Sequence, residues 1–157
     1  MIAYLGLGSN LGDRLDQLRK AVEALRTSDP GLAVSPIYET APIGGPKQGP
    51  YLNCVVRFTA DLAPSELLDL AQGLEHSARR VRTVRNGPRT LDVDILLIEG
   101  VTMDTPELTV PHPRMYERAF VLAPLENLDP NLVPAGWRRS VSGGENVTTD
   151  VRKVGTL

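Results

Sequence analysis

Two aspartates two residues apart, Asp92 and Asp94, stand in the apolar run Leu91–Ile98, whose composition reads as a β-strand. Side chains alternate across a strand, so both carboxylates project from one side. Neighbouring carboxylates repel unless a cation lies beside them. A hard, oxygen-seeking ion such as Mg²⁺ fits, since it is commonly held by one or two carboxylates together with phosphate oxygens and water. Three residues upstream of Asp92 stands Arg89, the last of five arginines (Arg79, Arg80, Arg82, Arg85, Arg89) within eleven residues of a chain that has only three lysines. The planar guanidinium fork suits phosphate better than a lysine point charge does. Arg79, Arg80 and Arg82 could simply be cations at a helix C-terminus. Arg85 and Arg89 flank the turn Asn86-Gly87-Pro88, where that account fails. Arginines on a Gly/Pro segment beside a metal site form the electrostatic clamp that phosphoryl transfer requires. A solvated strand face is the plain alternative for Asp-x-Asp, and the rarity of Asp in strands and the apolar neighbours weigh against it.

Other polar groups are more ambiguous. Tyr51 and Asn53 share one face of a second apolar run, at the end of a Gly/Pro-rich stretch, Ala41–Tyr51. They are either half-buried strand residues or the aromatic surface and amide that a planar heterocycle needs. His112, in Val110-Pro111-His112-Pro113, either donates to a phosphate or is a turn histidine; with His76 it makes no zinc site. Glu75 precedes Arg79 by four residues, the spacing of a helical ion pair. The segment Gly6-Leu-Gly8-Ser-Asn10-Leu-Gly12-Asp13 matches neither common phosphate-loop pattern, and a tight turn with Asn10 or Asp13 capping a helix is the better reading.

These groups need a frame. Ile2–Leu7 reads as a buried strand, and Asp13–Arg26 as a helix with Leu15, Leu18, Val22 and Leu25 on one face. Leu32–Thr40 and Asn53–Asp61 read as the second and third strands. Pro64 opens a second helix that runs up to the arginine cluster. Leu91–Ile98 is the fourth strand, apolar on both faces beyond Asp94 and therefore expected to be central. The order strand–helix–strand–strand–helix–strand is that of an α+β, ferredoxin-like sheet with helices on one face. The remainder, from Val101 onward, is irregular and Pro-rich, with a short helix expected at Arg114–Arg118 and another strand around Phe120–Leu122.

The whole chain, residues 1–157, is expected to be a single domain. Its hydrophobic fraction of 41%, charged fraction of 23% and net charge of −2 describe an ordinary globular protein. No apolar run reaches the roughly 20 residues of a membrane-spanning helix, and no secretion signal opens the chain. One cysteine, Cys54, fits a reducing, cytoplasmic setting. An RNA-binding module would call for a basic surface and stacking aromatics, whereas this chain is acidic overall with 4% aromatics.

Several segments together resemble 6-hydroxymethyl-7,8-dihydropterin pyrophosphokinase, a folate-pathway family. They are the glycine-rich opening, Tyr38-Glu-Thr40-Ala-Pro42, Tyr51-Leu-Asn53, Arg80-Val-Arg82, Gly87-Pro-Arg89-Thr-Leu-Asp92-Val-Asp94-Ile-Leu, and Leu108-Thr-Val-Pro-His112-Pro-Arg-Met. They run in order from residue 4 to about residue 130. The resemblance implies transfer of the β,γ-diphosphate of ATP to the pterin hydroxymethyl group, with AMP released. It implies that Asp92 and Asp94 hold two Mg²⁺ ions, that Arg80 is a catalytic-loop arginine and that Arg89 binds phosphate. It places Gln72, Glu75, Arg82, Ile95, Thr109, His112 and Arg118 on ATP. It places Thr40, Pro42, Ile43, Tyr51, Asn53 and Phe120 at the pterin, with the ring stacked between Tyr51 and Phe120. The partners so implied are small molecules, with neither nucleic acid nor membrane, and the chain is expected to act as a monomer.

Overall fold

The computed structural model describes residues 1–40, 49–78, 90–142 and 151–157. Its main sheet is antiparallel throughout. Strand β1 (Ile2–Ser9) lies between β5 (Asp92–Ile98) and β4 (Tyr51–Thr59). Beyond β4 come β2 (Ala33–Val34) and β3 (Ile37–Thr40), and β3 pairs outward with β8 (Arg152–Gly155). A two-residue ribbon, β6 (Met103–Asp104) with β7 (Thr109–Val110), stands apart from it.

The expected second strand is split at Ser35-Pro36. Proline cannot donate to a ladder, and the Ser35 hydroxyl accepts the Val55 N–H at 2.9 Å in place of a continuous strand. Helix α1 (Arg14–Arg26) starts where Asp13 accepts the Asp16 N–H at 3.1 Å, the capping expected from the sequence. Its buried stripe is Leu18, Ala21, Val22 and Leu25, while Leu15 is exposed. Helix α2 (Pro64–Ser77) begins on Pro64, and the Ala63 N–H is held by Glu66 Oε1 at 2.9 Å.

Both helices pack on one face of the sheet, over Ala3, Leu5, Leu7, Cys54, Val56, Val93 and Ile95. The expectation that all helices share that face does not hold. Helix α3 (Ala119–Leu128), where a strand was expected around Phe120–Leu122, covers the opposite face. There Tyr4, Val55 and Leu96 meet Met115, Val121 and Leu125. The Phe-Val-Leu run is strand-like in composition, but α3 is also covered on its outer side. Trp137 and Val141 of α4 (Trp137–Ser142) bury Ala119, Leu122 and Ala123, and a helix buried all round reads as an unbroken apolar run. The short helix expected nearby is a 3-10 turn at Met115–Glu117.

Strand β5 is outermost in the main sheet, not central as expected. Its two-sided apolar pattern records cover on both faces. A one-residue bulge at Leu96 shifts the alternation, so Leu96 and Leu97 face α3 and Ile98 returns to the side of Val93 and Ile95. Its outer edge is occupied too: Glu75 Oε1 accepts the Val93 N–H at 2.9 Å, and the His112 N–H donates to Leu96 O at 2.8 Å.

Candidate active site

The ladder registers determine what meets what. Gly8 pairs with Asp92 on one side and with Asn53 on the other, and Asn53 pairs with Tyr38. Residues paired across strands point to the same face. Asp92, Gly8, Asn53 and Tyr38 therefore form one row on the α3 side of the sheet, and Asp94 and Tyr51 fall on that face by alternation. The carboxylate and amide ends of the row are two strand spacings apart, about 10 Å.

At the amide end, Asn53 and Thr40 are both buried, and Asn53 Nδ2 donates to Thr40 Oγ1 at 3.0 Å. That bond fixes the amide orientation and turns Oδ1 toward Gly8, where an added Cβ would lie only 2.8 Å from it. The outer wall includes Arg14, whose guanidinium reaches Pro50 O at 2.9 Å and Glu39 at 3.2 Å, and Asn10, whose amide donates to Gly49 O at 3.2 Å. These contacts hold the entry to β4 against the end of β1.

At the carboxylate end, Arg118 lies 3.7 Å from Asp94 Oδ2 and stacks over the Phe120 ring at 5.6 Å. One guanidinium thus links the acidic pair to the aromatic residue at the start of α3. His112 stands on the outer side of β5. Its Nδ1 accepts the Arg114 N–H at 3.2 Å, so in the neutral ring the proton resides on Nε2. Burial, and then the positive charge of Arg118, lower the imidazole below its usual 6.5, while Asp92 pulls the other way. Neutral His112 can therefore donate a hydrogen bond without adding a charge.

A cleft of about 320 Å³ opens beside β5. It is lined by Gln72 and Glu75 of α2, by Asp94 and Ile95 of β5, by Thr109 of β7 and by His112 just after it. Six residues singled out from the sequence for ATP or metal converge here, with Leu68 and Ala71 supplying an apolar wall. Arg118 adjoins through Asp94. Among the described residues no group of three or more His, Cys, Asp or Glu gathers as a metal cage. Two carboxylates fit Mg²⁺ nonetheless, because it is usually completed by phosphates and water. Pro42, Ile43, Arg80, Arg82 and Arg89 lie outside the described residues, as do Arg79 and Arg85.

The tight turn expected of the opening glycines is confined to Gly12, with φ 70°, whereas Gly6 and Gly8 lie inside β1. The signal for Gly8 was a glycine inside a strand pattern, which often marks close approach of another group. Only the ladder register shows which one.

A family model described as 7,8-dihydro-6-hydroxymethylpterin-pyrophosphokinase (HPPK) matches residues 4–130. A Bacillus subtilis protein named 2-amino-4-hydroxy-6-hydroxymethyldihydropteridine pyrophosphokinase is 50% identical over 129 residues, 81% of this chain and 77% of that one. One of the same name from Pseudomonas aeruginosa is 46% identical over 131 residues, covering 82% and 81% of the two chains. Among solved structures, Plasmodium falciparum HPPK-DHPS shares the fold with a TM-score of 0.60 at 13% identity. The match takes in 97% of this chain, which spans only 47% of that longer one.

Proposed function

Because this chain belongs to the 7,8-dihydro-6-hydroxymethylpterin-pyrophosphokinase family, we propose that it transfers the β,γ-diphosphate of ATP to 6-hydroxymethyl-7,8-dihydropterin. The products are AMP and the pterin diphosphate, on the route to folate. One observation carries the assignment of parts: β5 presents Asp92 and Asp94 between the cleft lined by Gln72, Glu75, Thr109 and His112 and the buried Asn53–Thr40 amide site. ATP occupies the cleft, the pterin lies at Asn53, and the acidic pair stands where the two reacting ends meet.

The pterin hydroxyl oxygen forms a bond to the β-phosphorus, and the bond from that phosphorus to the oxygen bridging to the α-phosphate breaks. AMP leaves with the electron pair, and the hydroxyl proton passes to solvent. Asp92 and Asp94 would hold Mg²⁺, two ions in this reading, and the metal when bound would supply charge neutralisation on the phosphate oxygens. The Asn53 amide, held by Thr40, orients the pterin, and Tyr51 and Phe120 stack on its ring. Neutral His112 donates from Nε2 to a phosphate oxygen. Arg118, beside Asp94, would add its positive charge to the phosphates held there. Arg80, Arg82 and Arg89 complete the clamp, and Pro42 and Ile43 the pterin wall, by the resemblance of their segments. No side chain is required as a general base, since alignment and electrostatics supply most of the rate in such transfers.

The strand order β5-β1-β4-β3, with helical connections from β1 and from β4, supports placing the frame in the ferredoxin-like class. β8 pairs back onto β3, which supports treating residues 1–157 as one pyrophosphokinase domain. Among the described residues no helix is long and apolar enough to cross a membrane. A cytoplasmic monomer acting on small molecules, without nucleic acid, completes the reading. The test is release of AMP from ATP and Mg²⁺ with and without the reduced pterin. Pterin-dependent AMP that disappears in Asp94→Ala is expected, and near-normal turnover by that variant would remove the metal assignment.

A further inference from the structure

We propose that Gly8 is a substrate-positioning residue: its missing side chain is the open floor over which the pterin hydroxymethyl group reaches from Asn53 to the phosphate held at Asp92. The inference rests on the functional reading above and adds to it the place where the two substrates meet.

Three observations lead to it. Gly8 is the residue that pairs with both Asn53 and Asp92, so it is the midpoint of the row joining the amide to the acidic pair. A Cβ at Gly8 would stand on the α3 face with them, since paired residues share a face. It would lie 2.8 Å from Asn53 Oδ1, closer than ordinary packing allows, and at van der Waals distance, 3.6 Å, from Tyr51 Cδ1. The contrast with Gly6 is informative. Gly6 occupies the same face one step along, between Val55 and Asp94. A Cβ there would meet only Leu96 Cδ1, at 3.5 Å, an ordinary van der Waals contact.

Backbone conformation does not account for Gly8. The glycines with positive φ are Gly12, Gly100 and Gly136 among the described residues, and each has open space around it. Gly8 sits in a regular antiparallel ladder that any residue can adopt. What excludes a side chain is the crowding on its α3 side. The substrate chemistry fits the gap. Two strand spacings, about 10 Å, separate the amide from the carboxylate end of the row. A bicyclic pterin anchored by its amide edge at Asn53 would extend its hydroxymethyl arm along that row, and a methyl group on residue 8 would obstruct it.

The test compares Gly8→Ala, Gly6→Ala and Asn53→Ala with the double variant Gly8→Ala/Asn53→Ala. Readouts are AMP release at saturating ATP, the KM for pterin and, separately, ATP affinity by fluorescence titration. Gly8→Ala is expected to raise pterin KM and lower kcat, each by about tenfold or more, with ATP affinity within about twofold of wild type. Such a loss corresponds to at least about 1.4 kcal/mol per parameter. Gly6→Ala is expected to keep wild-type parameters. The double variant separates two explanations and stays readable even if Gly8→Ala alone folds badly, because removing Oδ1 removes the collision. If Gly8 only keeps Asn53 in place, adding Gly8→Ala to Asn53→Ala will leave kcat unchanged, and the proposal is overturned. If residue 8 is the floor for the substrate arm, the second substitution lowers kcat again, about tenfold. Equal losses in Gly6→Ala and Gly8→Ala, or a parallel loss of ATP affinity, would also overturn it. A wild-type protein that makes no pterin-dependent AMP would instead remove the functional reading itself.

Discussion

Replacing Glu75 by alanine should damage the acidic pair without touching either aspartate. Glu75 projects from α2, and its Oε1 accepts the N–H of Val93, the residue between Asp92 and Asp94, at 2.9 Å. Because β5 is outermost, with β1 on its inner side, that N–H faces away from the ladder. Val93 is buried, so water would replace the lost acceptor poorly. A hydrogen bond to a charged group contributes about 1.5–3 kcal/mol, most of it the cost of leaving a buried donor unmet. At about 2–4 °C of melting temperature per kcal/mol for a chain of this size, Glu75→Ala should melt roughly 3–12 °C below wild type. The strand it releases carries both proposed metal ligands. The Mg²⁺ concentration for half-maximal AMP release should therefore rise, by about four- to twelvefold if half of that free energy was spent on holding the ligands in register. Glu75→Gln keeps an acceptor oxygen and should recover most of the melting temperature and the Mg²⁺ response. Glu75 also lines the cleft, so direct contact with the nucleotide is the competing explanation. Melting of the ligand-free protein decides between them. If Glu75→Ala melts with wild type while only ATP binding weakens, the clamp on β5 is refuted.

Three further outcomes follow from the same contacts. Trp137, the chain's one tryptophan, is buried against α3, donates its indole N–H to Glu126 and lies 4.4 Å under the Arg138 guanidinium. Trp137→Ala should cost about 3–5 kcal/mol, read by thermal melting in circular dichroism, and a loss under about 1 kcal/mol would mean that α4 merely rests on the surface. Burial pushes the Cys54 thiol up to about 12, so iodoacetamide should not alkylate it in the native protein at pH 8 but should do so in urea; rapid native labelling would contradict its packing. His112 is held below its usual 6.5, so the unfolded chain takes the proton more readily. Its contribution to stability is therefore present above that value and lost as pH falls through the lowered one. The melting difference between wild type and His112→Gln should accordingly narrow from about pH 7 to about pH 5, and a difference independent of pH would show that the ring is not held neutral by the fold.

The frame was legible where periodicity alone decided it. Leu18, Val22 and Leu25 of α1 and Pro64 at the start of α2 read correctly, because each is a local pattern. Two readings failed for a common reason. Leu91–Ile98 was taken for a central strand and Phe120–Leu122 for a strand at all, because a run apolar on every side records how completely an element is covered, not what covers it. In both places the missing information was the α3 layer: it covers the second face of β5 and is itself buried beneath Trp137. The helical spacing puts Leu15 in the core, but it lies in the first turn of α1 and is exposed.

The site divides along the same line. Residue types announced the acidic pair, since two carboxylates in an apolar strand need a partner and sequence alone states that need. The amide end was ambiguous, because a buried Asn is explained equally by a ligand or by a neighbouring hydroxyl until its orientation is known. The Thr40 bond settles the orientation: with Nδ2 committed at 3.0 Å, Oδ1 must face Gly8. From there the antiparallel ladder does the alignment, because the hydrogen bonds that pair Gly8 with Asn53 and with Asp92 set the spacing of amide and carboxylate at once. Groups fixed in that way would need no rearrangement if charge develops between them as proposed, which is where electrostatic catalysis gains most. It follows that changes in ladder register should injure this site more than changes of side chain in the loops around it. Inserting one residue into β1 between Tyr4 and Gly8 would turn Gly8 to the α1 face and set the Leu7 side chain between Asn53 and Asp92.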